Sequence, residues 1–436
     1  MKIVYIVPGF GGTFYCGNCL RDNTFVAALR HAGHEAVILP VYLPLTQNEN
    51  QPKTDIPVFY GAVNIYLKQQ FPLLRNMPHW MEHLLNSQPV LKFAAKKAGS
   101  TRATGLEELT ESMLMGREGF QKHELQELTD FLKFHEKPDL VHFSNALLLG
   151  MAGQIREETG APVVCSLQDE DVWVDAMDPA QRNKVWNLMA EKGKEIDAFI
   201  SVSHYFGDFM KEKMKIPDTK LHVIPIGVDP GKYSFSLPSL NPPAIGYLSR
   251  ICPENGFELL IDAFIRLKAD IRFNHLKLYI AGGMTGDDKK FFHQQMHKLK
   301  TQNILSDVHL FHDFSPEVLP HFFNPLSLLS VPVLKGEAFG LYQIEAMASG
   351  VPLVQPALGA FPEIIETTGG GLLYYPNTAQ SLALKLAEAL SDPKMMEMMS
   401  IAGRKSVEEK FNTHNLTGDV LKLYAKTIHD STHPEK

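Results

Sequence analysis

The sequence predicts two doubly wound α/β domains facing each other across a cleft, and three observations carry that prediction. Apolar runs of strand length alternate with amphipathic segments of helix length through both halves of the chain. The runs "LYIA", "PLVQ" and "APVVCSL" are continuously hydrophobic rather than alternating, which suits parallel strands buried on both faces. The third observation is length: 436 residues exceed what one hydrophobic core serves, so about two domains of roughly 200 residues are expected.

Taken in order, "KIVYIVPGFGGTFYCGNCLRDNTFVAALRHAGHEAVILPVY" reads as apolar strand, Gly-rich turn, amphipathic helix, Gly33 and second strand. Residues about 66–130 interrupt the alternation with helix-like sequence rich in Met, Leu and His, read as a helical insertion on the first domain. Part of it is amphipathic and carries Lys92, Lys96 and Lys97. A peripheral membrane contact is therefore weighed against a helix packed on its own domain. The Pro/Ser-rich "YSFSLPSLNPP" (233–243) marks the boundary, giving a first domain over 1–235, a second over 236–410 and a terminal segment over 411–436.

The second domain repeats the opening of the first in "PAIGYLSRICPENGFELLIDAFIRLK" followed by "LKLYIAGG". Leu260, Ala263, Phe264 and Leu267 fall at i, i+3, i+4 and i+7, one stripe of a helix. Further on, "LLSVPVL" (328–334) reads as a strand, "KGEAFG" as a turn and "LYQIEAMAS" as a helix stopped by Gly350 and Pro352. Both domains are thus Rossmann-like, and ligands in such folds bind beyond the carboxyl ends of the strands, where the Gly-rich turns lie.

Composition narrows the class. Hydrophobic residues make up 44% and charged residues 21%, ordinary for a soluble globular protein, and a net charge of −7 argues against nucleic acid as a partner. No apolar run approaches the ~20 residues of a membrane span. The start "MKIVYIVPGFGG" reads as a first strand rather than a signal peptide. Four cysteines are too few for a disulfide framework in a chain of this length. A reducing, cytoplasmic compartment is expected, with the inner face of a membrane as the alternative.

Two carboxylates raise the functional question. Glu337 precedes a Gly-bearing turn, and Glu345 lies inside an otherwise apolar helix. A helix start is an anion site, and Gly340 would let a ligand approach its backbone. Helical side chains lean toward the N-terminus, so Glu345 points back to that spot. There a carboxylate can accept two hydrogen bonds from a vicinal diol such as a ribose. Glu345 paired with a buried Arg or Lys, and Glu337 as a solvated turn residue, stay open as the other reading.

Glu337 and Glu345, with seven residues between them, resemble the E-x7-E motif of retaining glycosyltransferases of the GT-B fold, family-four type (glycosyl transferases group 1). "EAFGLYQIEAMASGVPLV" is similar to that family's donor-site segment, and "GFGG" (9–12) to its N-domain glycine loop. "GHEAV", "PDLVH", "FISVS", "VIPIGVD", "IAGG" and the tail "FNTHNLTGDVLKLY" follow in the family's order over nearly the whole chain.

The resemblance implies a sugar transferred from a nucleotide diphosphate sugar to an unknown glycan, lipid or small-molecule acceptor, with no cofactor or metal required. It implies that Glu345 holds the ribose and that Glu337 and Arg250 are catalytic, one beside the transferred sugar and the other on the departing diphosphate. Gly340 and Leu341 would contact sugar or phosphate, and Gly11 and Gly12 would close on the diphosphate from the opposite domain. Phe314 falls near the nucleobase, and the tail implies a final helix returning to the first domain.

The chain also departs from the pattern. Asn255 stands where the family has a lysine, with Lys335 as a candidate substitute. Gln168 stands where many members have a histidine; it, Asp169 and His142 are the acceptor-side candidates. These departures keep a non-catalytic, sugar-nucleotide-binding relative as the alternative.

Rival constellations are weaker. "DED" (169–171) fits a metal-binding D-x-D but sits in unlike surroundings. "CGNC" (16–19) lacks a second ligand pair for zinc, leaving a thiol role or small packed residues. "HWMEH" (79–83) formally matches an inverted zinc-protease signature without a third ligand. "GFGGTFYCG" is not G-x-G-x-x-G, which weighs against a nicotinamide-dependent oxidoreductase.

Overall fold

The computed structural model describes residues 1–8, 17–41, 106–313, 315 and 317–433. Over them the chain forms two compact units, parting between Ile224 and Pro225 and again between Leu416 and Thr417. The first parting falls ahead of the Pro/Ser-rich stretch at 233–243.

The first unit contains β1 (Lys2–Val7), α1 (Gly17–His31, whose residues 17–21 group with the second unit), β2 (Glu35–Pro40), α2 (Glu107–Met115), α3 (Lys122–Phe131), β3 (Leu140–Phe143), α4 (Ala152–Thr159) and β4 (Val163–Leu167). After these come α5 (Glu170–Val174), α6 (Pro179–Lys192), β5 (Ala198–Ser201), α7 (His204–Met214) and β6 (Leu221–Val223). Its sheet is parallel, in the order β2-β1-β3-β4-β5-β6. β3 and β4 are buried throughout, as continuous apolar runs require when helices cover both faces. Of the insertion expected over about 66–130, the described part from 106 onward is helical; Lys92, Lys96, Lys97 and "HWMEH" lie outside the described residues.

The second unit contains β7 (Ala244–Leu248), α8 (Phe257–Lys268), β8 (Lys277–Ala281), α9 (Lys289–Thr301), β9 (Val308–Phe311), β10 (Leu328–Leu329) and α10 (Leu341–Ala348). It continues with β11 (Leu353–Pro356), α11 (Phe361–Thr368), β12 (Gly371–Tyr374), α12 (Ala379–Leu390) and α13 (Pro393–Lys410). Its sheet is also parallel, in the order β12-β11-β10-β7-β8-β9. The helical stripe of α8 is buried as its spacing predicts: Leu260, Ala263, Phe264 and Leu267 are all inside. β10 is shorter than the strand expected over 328–334. Ser330 still donates to the Gly246 carbonyl, but Pro332 has no N–H to continue the ladder, and Val333 turns back onto Val331.

The last helix, α14 (Thr413–Thr432), runs out of the second unit and into the first. Val420, Leu423 and Tyr424 join Ile3, Tyr5, Val26, Leu140, Val164 and Ile200 in the first unit's core. Each such burial stabilises by about 1.5–3 kcal/mol, so the helix is an integral part of that core. Among the described residues no helix is long and apolar enough to cross a membrane.

Candidate active site

The second sheet reverses its strand order at β7, which lies between β10 and β8. At such a reversal the loops leaving adjacent strands part and open a crevice. The turns leaving β7 and β10 are bound to each other, the Leu334 amide donating to the Glu254 carbonyl at 3.0 Å. Gly256 makes this approach possible: its φ is 69°, and a Cβ there would lie 1.8 Å from the Pro332 carbonyl oxygen.

Arg250 rises from the first of these turns, with its side chain 19% exposed. Its Nε stands 3.8 Å from Asp288 Oδ2, and its Nη2 stands 3.8 Å from Glu254 Oε2. Burial works against its charge, yet Cys252, Asp288 and Glu254 around it hold its pKa above the ordinary value. The buried Cys252 thiol is pushed up by its own burial, with Arg250 opposing. Below them the Tyr247 hydroxyl donates to the carbonyls of Arg250 (3.1 Å) and Asn255 (3.4 Å). Burial raises that phenol well above its usual range, Cys252 and Glu337 adding to the shift and Arg250 opposing it. Tyr247 thus lies in the field of both proposed catalytic residues.

Asn255 does not reach outward. Its amide donates to Ser249 Oγ (2.8 Å) and to the Arg250 carbonyl (3.1 Å), so it shapes the turn and adds no charge. Lys335 is exposed on the neighbouring turn.

Glu337 sits half-buried on the turn before α10. Its carbonyl accepts from the Ala360 amide at 3.0 Å, and Tyr342 donates its hydroxyl to Glu337 Oε2. Glycines on both sides make this possible, since a Cβ on Gly359 would lie 2.4 Å from the Glu337 nitrogen. Gly340 enters α10 at φ 80°, and its Cβ direction is filled by Tyr342 and Gln343. The glycine is therefore needed by the protein's own packing, whatever ligand approaches. Leu341 opens the helix and is buried. Glu345, 3% exposed, follows one turn later, and Tyr233 donates to its Oε1 at 2.9 Å.

Gly11, Gly12, Phe314 and Cys16 lie outside the described residues, as does the Cys19 side chain. The structure therefore sets Arg250 and Asn255 on one turn and Glu337, Gly340, Leu341 and Glu345 on the next turn and its helix, the two turns joined between Glu254 and Leu334. It adds Tyr233, Tyr247, Cys252, Asp288 and Tyr342, which sequence reasoning missed. Only Tyr342 had a local signal, standing just past the turn that holds Glu337. Tyr233 is 112 positions from Glu345, and no spacing rule spans that.

In the first unit the acceptor-side candidates separate. His142 is a core residue: Nε2 meets Ser166 Oγ at 2.9 Å, and Nδ1 meets the hydroxyl of Tyr424 on α14. Gln168 and Asp169 stand together beyond β4. Gln168 donates through Nε2 to the Ser144 carbonyl at 2.6 Å, while its buried Oε1 has no hydrogen-bond partner among the described residues. Asp169 takes a left-handed φ of 57°, unusual for a residue with a side chain.

Glu170, passed over as a site residue, is the most enclosed acid there. Its two oxygens accept from the Ala146 (2.8 Å) and Gln168 (2.7 Å) amides, and burial pushes its carboxyl up to about 8. Burial, and then Asp169, push Asp171 up to about 6. Because Glu170 points at backbone amides, "DED" does not present three ligands to one point. Among the described residues no group of three His, Cys, Asp or Glu side chains is arranged to hold a metal ion.

Residues 232–406 match the family described as glycosyl transferases group 1, and residues 115–232 match glycosyltransferase family 4. A related protein, the MMP α-(1→4)-mannosyltransferase of Mycolicibacterium hassiacum, is 26% identical over 302 residues, 66% of this chain and 71% of its own. Sucrose-phosphate synthase from Thermosynechococcus elongatus aligns over 98% of this chain and 100% of its own, with a TM-score of 0.71 at 18% identity. HepE of Anabaena, solved in complex with UDP-glucose, aligns over 98% and 100% with a TM-score of 0.67 at 14% identity. The two solved structures place the chain in the GT-B fold, with two Rossmann-like domains.

Proposed function

The chain belongs to the glycosyl transferases of group 1, and we propose that it moves a sugar, with retention of configuration, from a nucleoside diphosphate sugar to a glycan, lipid or small-molecule acceptor. The observation that carries this reading is the burial of Glu345 in a helix entered through Gly340, with Glu337 and Arg250 on the two linked turns beside it.

In this reading the Glu345 carboxylate accepts from the ribose hydroxyls. The backbone at Gly340 and Leu341 meets sugar or phosphate at the positive end of the helix. Arg250 takes the diphosphate as it departs, a role that a planar guanidinium fills better than an ammonium. Glu337 lies where its charge favours an oxocarbenium-like sugar. Helix amides and Arg250 together meet the leaving-group charge, so the reading requires no metal.

The test is calorimetric titration of UDP, GDP and ADP, with and without Mg²⁺, into wild type and Glu345→Ala. UDP comes first because HepE, on the same fold, was solved with UDP-glucose. Binding of one nucleotide that the substitution abolishes supports the donor site; no binding to wild type overturns it. Retention is read separately from the anomeric proton of the product by NMR.

A binding protein without turnover is the second reading. Asn255 favours it, since this amide is spent inside its own turn and supplies no second cation for the diphosphate. Slow hydrolysis of the donor to free sugar separates the two, because a competent transferase leaks sugar to water.

A further inference from the structure

We propose that Tyr233 is a positioning residue for Glu345, fixing the plane of that carboxylate for the ribose, and that Arg404 anchors the segment from which Tyr233 acts. This rests on the donor-site reading above and deepens it.

The Tyr233 hydroxyl donates to Glu345 Oε1 at 2.9 Å, and its ring lies against Phe323 with centroids 6.2 Å apart. The backbone behind it is pinned independently. Arg404 Nη1 donates to the carbonyls of Pro230 (3.2 Å) and Tyr233 (3.1 Å) and also to that of Ala348, the last residue of α10. Arg404 is itself steadied by Glu408, which accepts from its Nε at 2.6 Å. Residues 230–233 are therefore fastened to both the middle and the end of the helix that carries Glu345.

The chemistry explains why this matters. The terminal torsion of a glutamate is broad, so an unsupported carboxylate rotates freely about its last bond. A cis-diol needs both carboxylate oxygens in one orientation, and a donor fixed on Oε1 sets that orientation before the ligand arrives. A phenylalanine at 233 would keep the packing on Phe323 and lose only this function. The competing explanation is that Tyr233 merely satisfies a buried charge.

The two differ in what they predict for the ligand. Positioning acts through the ribose hydroxyls, so its loss should be felt by a ribonucleotide and hardly at all by one lacking them. The experiment measures Kd for whichever nucleoside diphosphate binds wild type and for its 2′,3′-dideoxy counterpart, in wild type, Tyr233→Phe, Arg404→Met and Glu345→Gln. Tyr233→Phe is expected to weaken the ribonucleotide about tenfold, the scale of one hydrogen bond to a charged group, and to leave the dideoxy nucleotide within about twofold. Arg404→Met should show the same selectivity with a smaller loss.

Equal losses for both nucleotides, or no loss for either, overturn the inference while Glu345→Gln still weakens the ribonucleotide. If wild type binds no nucleotide, or Glu345→Gln changes nothing, the donor reading itself falls and takes this one with it.

Discussion

Nε of Arg250 stands 3.8 Å from Oδ2 of Asp288, within reach of charge attraction and beyond hydrogen-bonding distance. That same oxygen accepts from the Thr285 hydroxyl at 2.6 Å and from the Thr285 amide at 3.3 Å, so Asp288 is committed to capping its own turn. Glu254 is equally distant at 3.8 Å. Both carboxylates raise the local preference for positive charge, and Cys252 holds the guanidinium by a hydrogen bond.

Arg250→Lys should lower kcat/KM by about 100-fold or more, since the point charge survives but the planar fork does not. Arg250→Ala should lose more. Continuous assay of nucleoside diphosphate release measures both, with thermal unfolding run alongside to show the fold intact. Lysine performing like arginine would remove Arg250 from the proposed chemistry.

Glu337→Gln tests the other catalytic assignment. In the proposed reading its charge serves the sugar and not the nucleotide, so kcat should fall about 100-fold while Kd for the free nucleoside diphosphate stays unchanged. Tyr342→Phe removes the hydroxyl on Glu337 Oε2 and should cost kcat about tenfold. A parallel loss of nucleotide affinity in Glu337→Gln would show that Glu337 belongs to the nucleotide subsite instead.

What was legible beforehand divides along physical lines. The strands and the α8 stripe could be read because burial on both faces, or on one, writes itself into every residue of an element. The 336–340 turn was legible because glycines mark positive φ, and Glu345 because an acid within an apolar helix is out of place. Asn255 was noticed as a departure, but its inward hydrogen bonds follow from the shape of its turn and not from its identity. His142 was misleading for the reason that exposed Glu170: polar residues at strand ends look alike in sequence, and only packing decides which face the core. Tyr233 and Arg404 reach their partners across long stretches of chain, where local patterns carry no information.

Gly256→Ala and Gly340→Ala rank the two turns. Both positions have positive φ, but the added Cβ meets a fixed carbonyl oxygen at 1.8 Å in the first case. In the second it meets the Gln343 amide at 2.9 Å and the Tyr342 ring at 3.1 Å, which can shift. Gly340→Ala should cost about 1–3 kcal/mol, and Gly256→Ala clearly more, because backbone has to move. Melting temperatures of the two variants give the order, and the reverse ranking would mean that the two turns are not held together as described.

Glu170 supplies a stability signature that ignores the reaction. Its carboxyl is raised from 4.5 to about 8, chiefly by burial. Between those values the folded protein keeps a proton that the unfolded chain has shed. Stability must then fall as pH rises through this window, by at most about 1.4 kcal/mol per pH unit, and level off above it. Asp171, raised from 3.8 to about 6, contributes with the same sign up to about pH 7. The range from about 7 to 8 therefore isolates Glu170.

Glu170→Gln cannot ionise and should flatten that range. It should also lose about 1 kcal/mol near pH 5, because one carbonyl oxygen cannot serve both the Ala146 and Gln168 amides. The two stability curves should consequently cross at about pH 6, with the variant the more stable above it. Urea midpoints at pH 5, 6, 7 and 8, followed by tryptophan fluorescence (Trp173 and Trp186 lie in this unit), give the comparison. Equal slopes in wild type and variant between pH 7 and 8 would mean that Glu170 ionises in the folded state as it does in water.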